Sequence, residues 1–203
     1  GQLQVKYKVK ITDEKGVETL VDTEDNYAMR WNEQRIYLMN YERYADELFT
    51  GKAQNYQGKR ILLGISNAEN IRSKKSPNGR NIAFTVNNNL WNYNQDDKKN
   101  VCIFSFGSEK DGGIRNGYNS HGIKILSVEN DGTVNFLVYG YMNRGQYEGR
   151  MGVICYSYSK ENDTVEEKFF IPSSESYELM QKEVESLSYL NSSGMIYLML
   201  GGG

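Results

Sequence analysis

A turn that recurs between two strand-like runs constrains the fold of this chain more than any other feature of its sequence. Two complete copies are present: Asn78-Gly79 before residues 81–86, and Asp131-Gly132 before residues 134–139. Asn-Gly and Asp-Gly supply the positive φ that tight hairpin turns require. Each copy therefore predicts two antiparallel strands joined by a short turn.

Further apolar runs extend each hairpin to four strands. The first copy predicts strands at 61–66, 81–86, 90–93 and 101–106; the second predicts strands at 123–128, 134–139, 151–158 and 165–171. A third hairpin begins at 188–190 and continues, after Ser193-Gly194, over 195–200. A four-stranded meander of roughly 45–50 residues has the size of one propeller blade.

The first copy resembles a known repeat. The string from Ser76-Pro77-Asn78-Gly79 through Ile82-Ala83-Phe84 is similar to the Ser-Pro-Asp-Gly…Ile-Ala-Phe repeat of TolB-type, WD40-like β-propellers, and Leu90-Trp91-Asn92-Tyr93 resembles the next strand of that repeat. The resemblance covers half of the chain, mainly residues 60–106 and 121–171. It implies propeller blades but no single activity, because the family includes translocation partners, peptidase gates and sugar-binding modules.

The predicted fold class is therefore mainly all-β, with antiparallel four-stranded meanders of the propeller type. Two full copies are fewer than the four or more blades of a closed ring, so either the N-terminal part supplies atypical blades or the chain forms an incomplete propeller, an open arc of a larger ring. Its open sheet edges predict association with a partner or a second copy. The predicted blades occupy 60–106 and 121–171 within a region 59–203, and the next blade starts at 188–200.

One or two helices are expected to cover these sheets. A Ser-rich start and an apolar stripe of Tyr177, Met180, Val184 and Leu187 predict a helix over 174–187. The N-terminal region 1–58 is predicted to hold a β-hairpin, with strands near 3–11 and 17–21, and then a helix from about 40 to 49.

The composition of the chain argues against several classes of function. The 24 basic and 26 acidic residues give a net charge of −2 and no basic stripe, which argues against a nucleic-acid partner. No apolar run approaches the roughly 20 residues of a transmembrane helix. One His and two separated Cys do not make a zinc site, so neither metal nor cofactor is expected. Cys102 and Cys155 lie in apolar stretches and are predicted to be buried free thiols rather than a disulfide.

Two glycine-rich loops contain the candidate ligand-binding residues. The predicted set is Asp111, Arg115, Tyr118 and His121 in or beside loop 107–120, and Arg144, Tyr147 and Glu148 in loop 140–150. Arginine can pair with a carboxylate, and tyrosine offers a flat face with a polar tip. Three plainer alternatives remain open. Loop 107–120 only connects two blades, loop 140–150 is a long hairpin tip whose Arg and Glu side chains pair with each other, and His121 has a structural role in its loop.

No catalytic constellation accompanies these loops, since the single His has no nucleophile in a recognisable motif beside it. The sequence favours a non-enzymatic binding or scaffold module whose ligand is a glycan or a protein partner. The resemblance to uncharacterised cell-surface proteins of Firmicutes implies a Gram-positive, extracytoplasmic protein, secreted or anchored through a segment outside this sequence. Two alternatives remain: a purely structural part of a larger propeller, and a glycoside hydrolase pairing Glu148 with Asp111 or Asp131 about 5–10 Å apart.

Overall fold

The computed structural model describes residues 1–47, 49, 56–57, 60–63, 71–107 and 120–201, with residues 56–57 described for their backbone only. The chain divides into two compact units, Gly1–Asn70 and Ile71–Gly203. The described residues are mainly β-strand, in antiparallel sheets of two to four strands, as the fold class predicted at this coarse level.

The first unit is built on a three-stranded antiparallel sheet of long strands. Its strands are β1 (Gln2–Thr12), β2 (Glu18–Trp31) and β3 (Ile36–Glu47), in that order across the sheet. Two short strands, β4 (Tyr56–Gln57) and β5 (Arg60–Ile61), form a separate antiparallel pair. The predicted N-terminal hairpin is confirmed, and its second strand extends ten residues past the predicted end at residue 21.

A buried carboxylate explains why the predicted helix near 40–49 is wrong. Asp25 of β2 is 3% exposed and receives two hydrogen bonds from Arg43 of β3, from Nε at 2.6 Å and from Nη2 at 2.8 Å. Tyr7 and Tyr41 also donate to it, at 2.9 and 3.0 Å. The Arg43 hydrogen bonds hold the pKa of Asp25 well below its usual range. Residues 41 and 43 can both face Asp25 only in an extended strand, where alternate side chains share a face.

The second unit contains two four-stranded antiparallel sheets, each in simple sequence order. The first sheet comprises β6 (Ser73–Lys75), β7 (Asn81–Val86), β8 (Asn89–Asn94) and β9 (Lys99–Ser105). The second comprises β10 (His121–Val128), β11 (Val134–Tyr141), β12 (Met151–Ser159) and β13 (Thr164–Pro172). Every strand predicted in the second copy is confirmed.

The first strand of the first copy is not where the sequence predicted it. Ile61 belongs to the short pair with β4, residues 62–63 are not in a strand, and residues 64–66 lie outside the described residues. The edge strand is instead β6, which leads directly into the Ser76–Asn81 turn and pairs with β7. A short connection favours this pairing, because the entropy cost of closing a loop grows with its length.

The core of the second unit has two parts, one on each face of the second sheet. Leu90 and Ile103 of the first sheet pack with Phe136 and Ile154 of the second. The opposite face, which includes Leu137, Tyr139, Val153 and Cys155, packs against a helix and a final hairpin. Alternate residues of β11 therefore enter different core clusters, which explains its continuous apolar run.

The covering elements are α1 (Tyr177–Leu187), β14 (Ser188–Leu190) and β15 (Ile196–Leu198). The predicted helix is confirmed, but its N-cap is Ser176, whose Oγ accepts a hydrogen bond from the Leu179 amide at 3.4 Å. Met180 and Val184 of its predicted stripe are fully buried, whereas Leu187 is 45% exposed. The described residues include no helix long and apolar enough to cross a membrane.

Both cysteines are free, as predicted, but only Cys155 is buried. Cys102 is exposed, which corrects the prediction of two buried thiols. Cys102 lies on the edge strand β9, where it pairs with Trp91 of β8. Its neighbour on β9 is Ile103, which packs into the core. Adjacent residues of a strand point to opposite faces, so the burial of Ile103 directs Cys102 outward.

Candidate functional site

The strand register brings the two predicted loops to one end of the second unit. Loop 107–120 leaves β9 after Ser105 and enters β10 at His121. His121 pairs with Gly140, and Tyr141 pairs with Met151, so loop 142–150 emerges beside it. We call this the loop end. The opposite end, which carries the turns at 76–80, 95–98, 129–133 and 160–163, is the turn end.

A cleft of about 160 Å³ lies at the base of the loop end. Its walls include Phe104, Phe106, Met142, Asn143, Arg144 and Tyr156. Asn143 is buried and donates a hydrogen bond from Nδ2 to the Phe106 carbonyl oxygen at 3.3 Å. This bond ties loop 142–150 to the strand end from which loop 107–120 departs. Of the predicted ligand-binding residues that the structure describes, Arg144 is the one that lines the cleft.

Tyr147 anchors its loop on β13. Its ring stacks on Phe170 with centroids 3.9 Å apart, and its hydroxyl donates to Glu167 Oε1 at 2.6 Å. The neighbouring Gln146 donates to the other oxygen of the same carboxylate at 3.0 Å. The hydrogen bond to Glu167 raises the pKa of Tyr147. One ring face and the hydroxyl of Tyr147 are thus engaged within the chain. Glu148 has an exposed side chain on the same loop.

His121 lies beneath the loop end in an apolar setting. It is 5% exposed and stacks on Phe106 with ring centroids 3.5 Å apart. Within the described part of the chain, neither ring nitrogen has a hydrogen-bond partner. Burial lowers the pKa of His121 to about 4, because an imidazolium there would lose its hydration. The geometry favours its structural role at the base of the loop.

This burial predicts a pH-dependent stability. Between its ordinary pKa of 6.5 and about 4, His121 is protonated in the unfolded chain but not in the folded one. Stability therefore rises with pH in this window and falls on acidification, by about 2 kcal/mol from pH 7 to pH 5. Urea denaturation, followed by Trp91 fluorescence in a Trp31→Phe background, would measure it at each pH.

The matched variant is His121→Phe, which keeps an aromatic ring on Phe106 but cannot be protonated. His121 is the chain's only histidine, so this variant should lose most of the change between pH 7 and pH 5. An equal fall in both proteins would assign the change to carboxylates and contradict the prediction.

Not every predicted site residue can be placed at the loop end. Asp111, Arg115 and Tyr118 lie outside the described residues. The carboxylate pair Glu148–Asp131 does not form, because the two residues sit beyond opposite ends of the eight-residue strand β11. Eight residues of antiparallel strand span about 27 Å, well over the roughly 10 Å that a glycosidase pair allows. The pair of Glu148 with Asp111 falls outside the described residues.

The turn end carries a groove that the sequence did not reveal. Its volume is about 200 Å³, and its walls include Asn92 and Asn94 of β8. Asn92 and Asn94 alternate with the core residue Leu90, so they occupy positions where an apolar side chain is expected. Polar residues at core-facing positions are the signal that could have pointed to this groove.

Neither a metal centre nor a known relative identifies these sites. The described ranges hold no group of three or more His, Cys, Asp or Glu side chains that could bind a metal ion. Comparison of the chain with family models, with curated proteins and with solved structures finds no match. The geometry of the loop end and of the turn end is therefore the basis for a function.

Proposed function

We propose that this chain is a non-enzymatic binding module of an exported bacterial protein, and that it binds a glycan or a segment of a partner protein at the loop end. The observation that carries the proposal is the aromatic cleft at the base of the loop end, with Arg144 in its wall. Loops that a rigid sheet scaffold positions are the usual place for recognition.

The size of the cleft supports a ligand that inserts one group. About 160 Å³ is below the roughly 300–1,000 Å³ of a pocket for a whole small molecule. It is close to the roughly 150 Å³ of an apolar cavity that holds benzene. One side chain of a peptide, or one ring of a glycan chain, fits this space, and the rest of the ligand would run over the loops.

The lining supports a ligand group with a flat apolar face and a negative charge nearby. Phe104, Phe106 and Tyr156 offer aromatic surface, on which an aromatic side chain or the C–H face of a sugar can pack. Arg144 offers a guanidinium, which pairs with carboxylates in two parallel hydrogen bonds. An acidic peptide and an acidic cell-wall glycan both have this combination.

The propeller architecture is part of the same proposal. Two four-stranded antiparallel meanders in sequence order, sharing one core, support neighbouring blades of the TolB or WD40 type. The final hairpin β14–β15 contacts the face of the second sheet that points away from the first sheet. In a propeller, the following blade would begin on this face.

The test is direct binding of the whole chain to an array of bacterial cell-wall glycans and to a displayed-peptide library. Arg144→Ala should weaken the best ligand about tenfold, as expected for the loss of a charged hydrogen-bond partner. The matched control is Arg80→Ala, which removes an exposed arginine paired with Asp96 at the turn end. Blank results on both panels, or equal binding by the two variants, would overturn the proposal.

A further inference from the structure

The three-stranded sheet of the first unit has one apolar face and one charged face. Residues that pair directly across two strands lie on the same face, and alternate residues of a strand return to it. The register therefore places Leu3, Tyr27 and Tyr41 together, and then Trp31 with Ile36. We call the face that carries these five residues the apolar face. The opposite, charged face carries Lys6, Lys8 and Lys10 of β1 beside acidic residues of β2.

The alternation in β1 is typical of a strand whose apolar face is covered. Five apolar residues at odd positions from 3 to 11 alternate with glutamine and lysine. Antiparallel sheets with this pattern commonly have one face packed and the other solvated. The apolar face of this sheet is instead largely open: Trp31, Ile36 and Leu38 are 70%, 64% and 59% exposed.

The exposed surface is large enough for a specific interface. Leu3, Ile11 and Tyr41 are 49%, 50% and 41% exposed on the same face. With about 200 Å² for a full large side chain, these three and the three above present roughly 600 Å². That is the upper end for an apolar patch on a typical monomer. Two such faces would bury about 1,200 Å², which is where specific protein interfaces begin.

The polar groups of the apolar face are paired within the face. Asp25 accepts hydrogen bonds from the hydroxyls of Tyr7, Tyr27 and Tyr41 at 2.9, 3.3 and 3.0 Å, besides its two from Arg43. Arg43 also donates from Nη2 to the Tyr7 hydroxyl at 3.0 Å. Burial of a charged or polar group is costly unless its hydrogen bonds are satisfied. These groups meet that condition before anything covers the face.

The placement of charge favours a protein over a lipid surface as the cover. Membrane-bound apolar faces usually have unpaired lysines or arginines around them, which attract anionic lipids. In the described strands of this sheet, the lysines lie on the charged face, where Lys6 and Lys10 pair with Glu24 and Glu18 at 3.1 and 2.7 Å. The arginine of the apolar face, Arg43, is already neutralised by Asp25.

From this juxtaposition of an open apolar face and internally paired polar groups, we infer that the first unit binds a second copy of this chain through its apolar face. A two-fold pair brings the same patch of both copies together, so the patch must be complementary to itself. An apolar surface whose central charges are already paired satisfies this requirement. Two antiparallel sheets would then pack face to face, about 10 Å apart. The inference does not depend on ligand binding at the loop end.

The test is sedimentation equilibrium of the whole chain over a range of concentrations. It should show monomer and dimer with a dissociation constant in the micromolar range. A Trp91→Phe background leaves Trp31 as the only tryptophan. Its emission should move to shorter wavelength as the dimer forms, because the exposed indole becomes buried in the interface.

One pair of variants assigns the dimer to the apolar face. Leu38→Asp places a carboxylate in the contact and should weaken the dimer at least about tenfold. The matched control is Leu20→Asp, the same change on the charged face, where Leu20 is 41% exposed and pairs with Lys10. This control should dimerise as the unchanged chain does.

A second pair keeps the test valid if Leu38→Asp weakens the pairing of β2 with β3. Ile36→Thr keeps a β-branched residue, which favours a strand, but removes apolar surface, so it should weaken the dimer several-fold. Tyr44→Thr, at a 43%-exposed position of the charged face, should leave the dimer unchanged.

Three results would overturn the inference. The first is a monomer at every concentration. The second is equal dimerisation by the two members of each variant pair, which would place the contact elsewhere, such as at a sheet edge. The third is a monomer whose Trp31 emission shifts only with phosphatidylglycerol vesicles, which would assign the apolar face to a membrane surface.

Discussion

Gly140→Ala is expected to destabilise the second unit by about 3 kcal/mol. Gly140 has a φ of +114°, which an L side chain rarely adopts. A Cβ there would overlap the Ser120 carbonyl oxygen and lie 2.7 Å from the His121 Cα. These are backbone atoms of the paired strand, and Ser120 also accepts a hydrogen bond from the Tyr141 amide at 2.9 Å, so the strand cannot move away without losing its pairing.

Gly149→Ala separates the two causes of this loss. Gly149 also has a positive φ, of +85°, but no atom lies within 4 Å of the position that its Cβ would take. This control should lose only about 1 kcal/mol, the cost of the backbone conformation. Urea denaturation, followed by Trp91 fluorescence in the Trp31→Phe background, compares the two. Equal losses would show that β10 and β11 separate more easily than their register suggests.

The second unit could be predicted from its sequence because its strands follow local rules. Gly79 and Gly132 have φ of +72° and +91°, as the Asn-Gly and Asp-Gly turns required. Each turn joins strands that are neighbours in the sheet, so pairing partners are also neighbours in sequence. Alternation of apolar and polar residues then sets which face is buried.

Non-local contacts explain where the prediction failed. The tyrosines at 37, 41 and 44 have a spacing that fits a helix, but the pairing of Arg43 with Asp25 requires a strand. The sequence of residues 40–49 does not indicate that Arg43 pairs with Asp25, because Asp25 belongs to another strand. The same reason applies to residues 61–66, whose apolar run predicted a strand beside β7. Among the described residues of that run only Ile61 is in a strand, and it pairs with β4.

The candidate sites depend even more on distant residues. Tyr147 looks like a ligand-binding ring in its own loop, yet Phe170 of β13 occupies one of its faces. The turn-end groove needs Asp97 and Lys160, which come from turns of different sheets. A sequence motif cannot show such a site, because its two halves meet only when the sheets pack together.

Lys124→Met is expected to destabilise the second unit by about 3 kcal/mol. The Lys124 ammonium group donates to three carbonyl oxygens at the end of α1: those of Val184 and Glu185, each at 2.9 Å, and that of Ser188 at 2.6 Å. The Val184 and Glu185 carbonyls belong to the last turn of the helix, and Ser188 is its C-cap. At this end carbonyl oxygens lack intrahelical amide partners, and a positive charge is favourable. Methionine keeps the stem of the side chain but leaves the three oxygens with no ammonium donor.

Lys168→Met is the matched control, because Lys168 lies on β13 and pairs with the exposed Glu166 at 2.7 Å. An exposed pair contributes little, so this variant should lose less than about 1 kcal/mol. The same Trp91 denaturation measures both variants, and binding of a hydrophobic dye should rise only in Lys124→Met. That rise is expected because α1 covers the second core through Met180 and Val184, which are fully buried. A loss in Lys124→Met no larger than in Lys168→Met would mean that these two apolar residues hold the helix without the ammonium group.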